Sequence, residues 1–238
     1  MLRAVTFDFW GTLYQDVDVG NERLGLVSDM LERYGQARPR VELEAGFSHV
    51  MSVWDQVWRE EQRSLSIERA LDEVLGHVGA SLPNEAKETL GRSIESVYLE
   101  TDGPKPVPGV RDVLPGIAQR YRLGLISDTG LTPGRVLREV MRRDGLLSHF
   151  EVLTFSDEVG RAKPQPQPFL STLAGLDASP GEAAHIGDLP ETDLRGARNV
   201  GMKAVLFLGV SKREDGRSLA DAVFSHYSEL QQLLEELP

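Results

Sequence analysis

Apolar and polar positions along the chain follow two rhythms. Four short runs are largely apolar: AVTFDF at 4–9, LGLIS at 123–127, EAAHIG at 182–187 and KAVLFL at 203–208. Each leads into a turn rich in Gly, Asp or Ser and then into a helical pattern, and EVLTF at 151–155 adds a further run of the same kind. Apolar strands alternating with helices imply a mainly parallel sheet covered on both faces. The expected fold class is α/β, a doubly wound sheet whose site lies beyond the carboxyl ends of its strands.

Residues 16 to about 101 break that rhythm. ERLGLVSDMLERYG, VELEAGFSHVMSVWDQVWREEQRS, SIERALDEVLGHVG and PNEAKETLGRSIESVYLE space their apolar residues three to four apart and predict about four helices. Gly35–Pro39 and Gly79–Pro83 mark stops between them. DGPKPVPG at 102–109 is a stiff Pro/Gly hinge leading back to the sheet. The expected organisation is an α/β core of residues 1–15 and 105–238, interrupted by an all-helical insert of residues 16–104. The insert reads as a lid over a sheet-borne site; a passive second domain is the alternative.

Charge narrows the choice of partner. The chain carries 26 basic and 37 acidic residues, a net charge of -11. Long-range repulsion disfavours nucleic acid. A small anionic substrate stays within reach, because a few groups and a metal reverse the field locally. There is no cysteine, which excludes disulfides, thiol catalysis and cysteine-ligated zinc. No apolar run approaches the roughly 20 residues that cross a bilayer, and the N-terminus reads as a strand rather than a secretory leader. The expectation is a cytoplasmic protein, monomeric or homodimeric, with no membrane partner.

Four strand ends carry candidate chemistry. Asp8 closes the first strand, where this fold presents reactive groups, and reads as a carboxylate nucleophile or as a turn residue. Ser127 in LISDTG and Thr12 in the first turn offer hydroxyls to phosphate oxygens, or act as plain caps. Lys163 in GRAKPQPQPF precedes Pro164, Pro166 and Pro168, which stiffen the chain. A lysine mounted there can neutralise a carboxylate or a transferring phosphoryl group. IGDLPETD at 186–193 supplies Asp188 and Asp193. Three carboxylates near one point repel one another, and Mg²⁺ suits such an oxygen site alongside water and substrate phosphate.

Taken in order, these motifs resemble the haloacid-dehalogenase-like hydrolase superfamily, most of whose members are phosphatases. DFWGTL at 8–13 looks like its first motif, Ser127 its second, Lys163 its third and GDLPETD at 187–193 its fourth. GARNVGMKAV at 196–205 resembles the stretch that follows, and the insert resembles the family's helical cap. The resemblance implies that Asp8 is the nucleophile and that Asp8, Asp188 and the Trp10 carbonyl ligate Mg²⁺, with Asp193 supporting the metal site. It implies a Mg²⁺-dependent phosphatase acting on a small phosphorylated metabolite through an aspartyl-phosphate.

Trp10 departs from that pattern. Family phosphatases carry a second aspartate there, which protonates the leaving oxygen and then activates water. Indole does neither, since its one polar hydrogen is a nonacidic N–H. Losing such help costs roughly 10²–10⁴ in rate where the leaving group needs a proton, so good leaving groups suffer least. The family's 2-haloacid dehalogenases carry an aromatic residue there and use no metal; that chemistry is one alternative. A non-catalytic phosphometabolite-binding or protein-interaction domain is another.

The insert says less. Trp54 and Trp58 lie one helical turn apart beside Arg59 and are expected to pack in its core rather than wall a pocket. His185 is expected to serve sheet packing. Lys87, the insert's one lysine, matches no cap-borne Schiff base. The five histidines form no metal-ligand spacing.

Overall fold

In chain order the elements alternate as the two rhythms predict. A computed structural model describes residues 1–237; Pro238, the last residue of the expected core segment, lies outside them. The chain opens with β1 (Ala4–Phe7) and a short β2 (Tyr14–Gln15). It then runs through α1 (Gly20–Arg33), α2 (Arg40–Gln56), α3 (Ile67–His77) and α4 (Asn84–Glu100). After β3 (Lys105–Pro106) come α5 (Val110–Ala118), β4 (Arg122–Ser127), α6 (Gly134–Arg143), β5 (Val152–Phe155), α7 (Ser156–Val159) and α8 (Pro166–Gly175). The chain closes with β6 (Ala183–Gly187), α9 (Arg195–Val200), β7 (Lys203–Phe207), β8 (Ala222–Phe224) and α10 (Leu230–Glu236).

Six strands form one sheet in the order β5-β4-β1-β6-β7-β8, every pair parallel. The fold is the expected doubly wound α/β core with a helical cap inserted after its first strand. β8 was not anticipated: three residues are too few to show a strand period. β1 lies between β4 and β6, and strand order runs outward from it in both directions, making its carboxyl end the topological switch point. Alternation along β1 sends Val5 and Phe7 into the core beneath α5, α6 and α10. Ala4 faces the other core, where Phe169, Leu173 and Ala197 from α8 and α9 pack.

The helical insert has a core of its own, built from Leu24, Val27 and Leu31 of α1, Leu43 of α2, Leu71 and Val74 of α3, and Leu90 and Ile94 of α4. Leu31 and Leu43 are fully buried, and truncating either to Ala costs about 2–5 kcal/mol. Ser66 caps α3, its hydroxyl accepting from the Arg69 N–H at 3.3 Å. α2 does not stop cleanly: residues 57–61 continue it as a π-helical turn that ends at Gln62 in the left-handed region (φ 50°). β2 and β3 pair antiparallel, Tyr14 opposite Pro106 and Gln15 opposite Lys105, tying together the two segments that join the helices to the sheet.

Candidate active site

Asp8 stands immediately past β1. Its N–H donates to the Ile186 carbonyl of β6 at 2.9 Å, so the sheet itself fixes its position. The chain then folds back sharply, the Leu13 and Tyr14 N–H groups both donating to the Phe9 carbonyl at 3.0 and 2.8 Å. Gly11 has φ +70° in this turn, and a Cβ there would lie 2.3 Å from Asp188 Oδ2. The glycine supplies the backbone geometry and also lets the Asp188 carboxylate lie directly against the turn. Gly187, in extended backbone at the end of β6, leaves room for Asp193, whose Cγ would lie 2.2 Å from an added Cβ.

Lys163 joins these groups. Its three ammonium protons meet three acceptors: an Asp8 carboxylate oxygen, the Ile126 carbonyl at 3.0 Å and Asp193 Oδ1 at 2.7 Å. All three titratable side chains, Asp8, Lys163 and Asp193, are almost completely buried. The lysine's backbone N–H donates to Asp128 Oδ1 at 2.9 Å, and the Ala162 N–H to the Gln62 carbonyl of the insert at 2.7 Å. The proline-rich segment follows, with Pro166 opening α8, where a missing N–H costs nothing.

Asp193 also accepts from the Leu189 N–H at 2.9 Å and lies 3.2 Å from His185 Nε2. An ionised carboxylate only accepts, so His185 carries its proton on Nε2 and Thr6 Oγ1 donates to Nδ1 at 2.8 Å. Burial holds His185 below its usual titration range, and it stays neutral. It was expected to serve packing alone; the fully buried ring also packs on Phe169 and positions Asp193.

The charges are unevenly balanced. Burial opposes the ionisation of Asp193, but Lys163 and the His185 hydrogen bond hold it below the usual carboxylate range. Burial also opposes the charge on Lys163, and Asp193, Asp8 and Asp128 overcome it. Asp8 is pushed well up by burial, which Lys163 only partly offsets against Asp193 and Asp188. Asp188, buried and facing Asp193, is pushed up to about 6. Its Oδ1 is buried without a hydrogen-bond partner. Carboxylate oxygens of Asp8, Asp188 and Asp193 all lie within 4.8 Å of one another. An orphaned acceptor among three carboxylates, with one lysine to neutralise them, fits a hard divalent cation.

A cavity of about 360 Å³ opens over this cluster, between sheet and insert. Asp8, Lys163, Asp188 and Asp193 line its deep end, and Trp10 is part of its wall. The Trp10 indole packs edge-on against Phe9 (4.7 Å between centroids) and beside Tyr98 of α4 (5.7 Å). Thr12 and Ser127 do not line the cavity. Thr12 is fully buried with Oγ1 unpartnered, and Ser127, 1% exposed, makes one long hydrogen bond to the Asp128 carbonyl at 3.3 Å.

Two residues act differently from their sequence reading. Trp54 and Trp58 both line the cavity instead of packing in the insert core alone, with rings stacked at 5.4 Å and 11°. Trp54 still packs against the insert core. Arg59 turns outward to Asp55 (2.7 Å), and Lys87 pairs with Asp72 at 2.9 Å, away from the cavity. Asp128 escaped the sequence reading altogether. It accepts from Trp58 Nε1 at 3.0 Å as well as from Lys163. The available signal was its place one residue past β4, matching Asp8 past β1.

Known proteins resemble this chain in sequence and in fold. The family of haloacid dehalogenase-like hydrolases matches residues 2–201. A phosphoserine phosphatase from Thermus thermophilus is 33% identical over 138 residues, 58% of this chain and 53% of its own, so the chain spans about half the length of that relative. A glyceraldehyde 3-phosphate phosphatase from Methanopyrus kandleri is 28% identical over 214 residues, 86% of this chain and 83% of its own. Among solved structures, a 2-haloacid dehalogenase from Pseudomonas syringae pv. Tomato superposes with a TM-score of 0.76 at 24% identity over the full length of both chains, a likeness of fold. No helix among the described residues is long and apolar enough to cross a membrane.

Proposed function

The chain belongs to the haloacid dehalogenase-like hydrolases, and we propose that it is a Mg²⁺-dependent phosphatase of a small phosphorylated metabolite with Asp8 as its nucleophile. One observation carries the reading: the unpartnered Oδ1 of Asp188, whose carboxylate has an oxygen within 4.8 Å of carboxylate oxygens of Asp8 and Asp193. A metal-free dehalogenase would leave this acceptor facing its own anionic substrate. The phosphatase names of the Thermus and Methanopyrus relatives support the same choice.

In this reading residues 16–104 are the cap, and residues 1–15 and 105–238 the catalytic core. Asp8, Asp188 and the Trp10 carbonyl would hold Mg²⁺, with Asp193 supporting them. When bound, the ion offsets charge between the phosphoryl group and the carboxylates. Asp8 attacks phosphorus in line; the P–O bond to the leaving group breaks, and an aspartyl phosphate forms that water then hydrolyses. Lys163, which lines the cavity, holds a nonbridging oxygen; Ser127 does not line it and leaves the expected phosphate-binding set. Thr12 is dropped from that set, because its Oγ1 is enclosed by protein. Trp10 stands where family phosphatases carry an aspartate and supplies no proton, so the enzyme favours leaving groups that depart unprotonated.

The test measures phosphate release from p-nitrophenyl and acetyl phosphate, and halide release from 2-haloacids, each with Mg²⁺ and with EDTA. Phosphate release that needs Mg²⁺ and is lost in Asp8→Asn supports the reading. Halide release without Mg²⁺, or phosphate release surviving in Asp8→Asn, overturns it.

A further inference from the structure

The cap side of the cavity holds a cation whose hydrogen bonds are incomplete. Arg23 of α1 is partly buried and lines the cavity that holds Asp8 and Lys163. One Nη donates to Thr132 Oγ1 at 2.7 Å, and the guanidinium lies 5.4 Å from the centre of the Tyr98 ring. Its Nε is buried with no acceptor, and among the described residues no carboxylate oxygen lies within 4.0 Å of it. Asp16, the nearest acid lining the cavity beside it, accepts from the Tyr98 hydroxyl at 2.6 Å instead. A guanidinium in the cavity wall with no carboxylate partner calls for an anion from outside the protein.

Arg23 stands at the outer end of the site. It also lines a neighbouring cavity of about 470 Å³ that includes none of Asp8, Lys163 or Asp188. Trp54, Trp58, Leu131 and Leu189 contribute apolar wall to the cavity that Arg23 shares with the carboxylate cluster. We propose that Arg23 binds a second anionic group of the substrate, a carboxylate or a second phosphate, at the opposite end of a short apolar skeleton from the scissile phosphoryl group. This assignment rests on reading the Asp8 end as the phosphoryl end. Thr132 and the Tyr98 ring orient the guanidinium, and the stacked indoles take the skeleton.

Binding of unreactive phosphonates tests the assignment without turnover. The probes are matched in length: 3-phosphonopropanoate, ethane-1,2-diphosphonate and propylphosphonate, titrated by calorimetry into wild-type protein with Mg²⁺. Wild type should bind at least one of the two doubly anionic probes about tenfold or more tighter than propylphosphonate. Preference for the first assigns a carboxylate, and preference for the second a phosphate. Arg23→Gln should erase the preference and Arg23→Lys keep part of it. Thr132→Val, a milder change, should reduce it and guards against a misfolded Arg23→Gln. No preference in wild type, or one that survives in Arg23→Gln, overturns the assignment. Phosphate release from p-nitrophenyl phosphate is read in parallel. An Arg23-dependent preference without phosphate release would sink the phosphatase reading and leave the second-anion site standing.

Discussion

Trp58 of the insert donates its indole N–H to Asp128 at 3.0 Å, and Asp128 in turn accepts the backbone N–H of Lys163 at 2.9 Å. One carboxylate therefore links the helical insert to the segment that carries the buried lysine. Burial raises the Asp128 titration range, opposed by Lys163 and the indole bond. Ser64 adds a second tie a few residues on, within hydrogen-bond distance of Thr129 (3.0 Å) and Ser156 (2.6 Å).

Trp58→Phe keeps an aromatic ring beside Trp54 and removes the indole donor with part of the ring. A hydrogen bond to a charged group contributes about 1.5–3 kcal/mol. Its loss should loosen the contact between residues 57–64 and the sheet. Amide exchange in that segment should speed up by tenfold or more, with little change in α3 and α4. Unchanged exchange there would mean that the indole bond does not hold the insert.

Asp188 should make the metal-free fold sensitive to pH. Its carboxyl is pushed up to about 6 in the fold, against 3.8 ordinarily. Between those values the folded chain keeps a proton that the unfolded chain has lost. The stability this provides is full below pH 3.8 and is lost as pH rises through 6, a cost of about 3 kcal/mol above it. In EDTA, Asp188→Asn should therefore melt higher than wild type at pH 7.5 and close to it near pH 4. Mg²⁺ should raise the wild-type melting temperature and leave that of the variant nearly unchanged. Equal pH profiles for the two proteins would contradict the assignment of that strain to Asp188.

Lys163→Met should be among the costliest single changes. It keeps the volume and leaves Asp8 and Asp193 buried beside one another with no cation between them. Breaking a buried pair by removing one partner costs about 3–5 kcal/mol. Urea unfolding should show a loss in that range at pH 8 and a smaller one at pH 5, where the carboxyls can take up protons. A loss below about 1 kcal/mol at pH 8 would show that water already reaches the cluster.

Sheet and cluster were legible because buried parallel strands read as apolar runs, and their last residues mark one edge of the sheet. That places Asp8 and Asp188 side by side; Lys163, in the loop between α7 and α8, and Asp193, in the helical turn after β6, were legible only through their motifs. His185 was not legible as a partner of Asp193: its contacts to Thr6 and Asp193 cross from one strand to the next and over the turn that follows. Trp54 and Trp58 were misread for a different reason. Helical spacing fixes which residues share a face but not what that face meets, and the π turn at 57–61 shifts the phase where Trp58 lies. Asp128 was hidden by its chemistry, since an aspartate after a strand looks like an ordinary turn residue.

Trp10 is the sharpest test of how this site works. Its indole occupies the cavity wall next to Asp8 and packs on Phe9 and Tyr98, so no carboxylate from that position can serve a leaving group. If the chain is a phosphatase, p-nitrophenyl and acetyl phosphate should turn over well and alkyl phosphates poorly. Trp10→Asp restores an acid–base group at that position, and positioned proton transfer contributes roughly 10²–10⁴ in rate. The same change removes a large, partly buried ring from the Phe9 and Tyr98 contacts and lowers stability. The gain should therefore be read at a temperature well below the variant's melting point, as the ratio of alkyl to p-nitrophenyl phosphate turnover. That ratio should rise by tenfold or more, whatever the fraction of folded enzyme, because both substrates sample the same population. A ratio that stays constant while the variant remains folded would mean that residue 10 does not face the leaving group. The ratio is read as kcat/KM, because hydrolysis of the aspartyl phosphate is common to both substrates and does not enter that quantity.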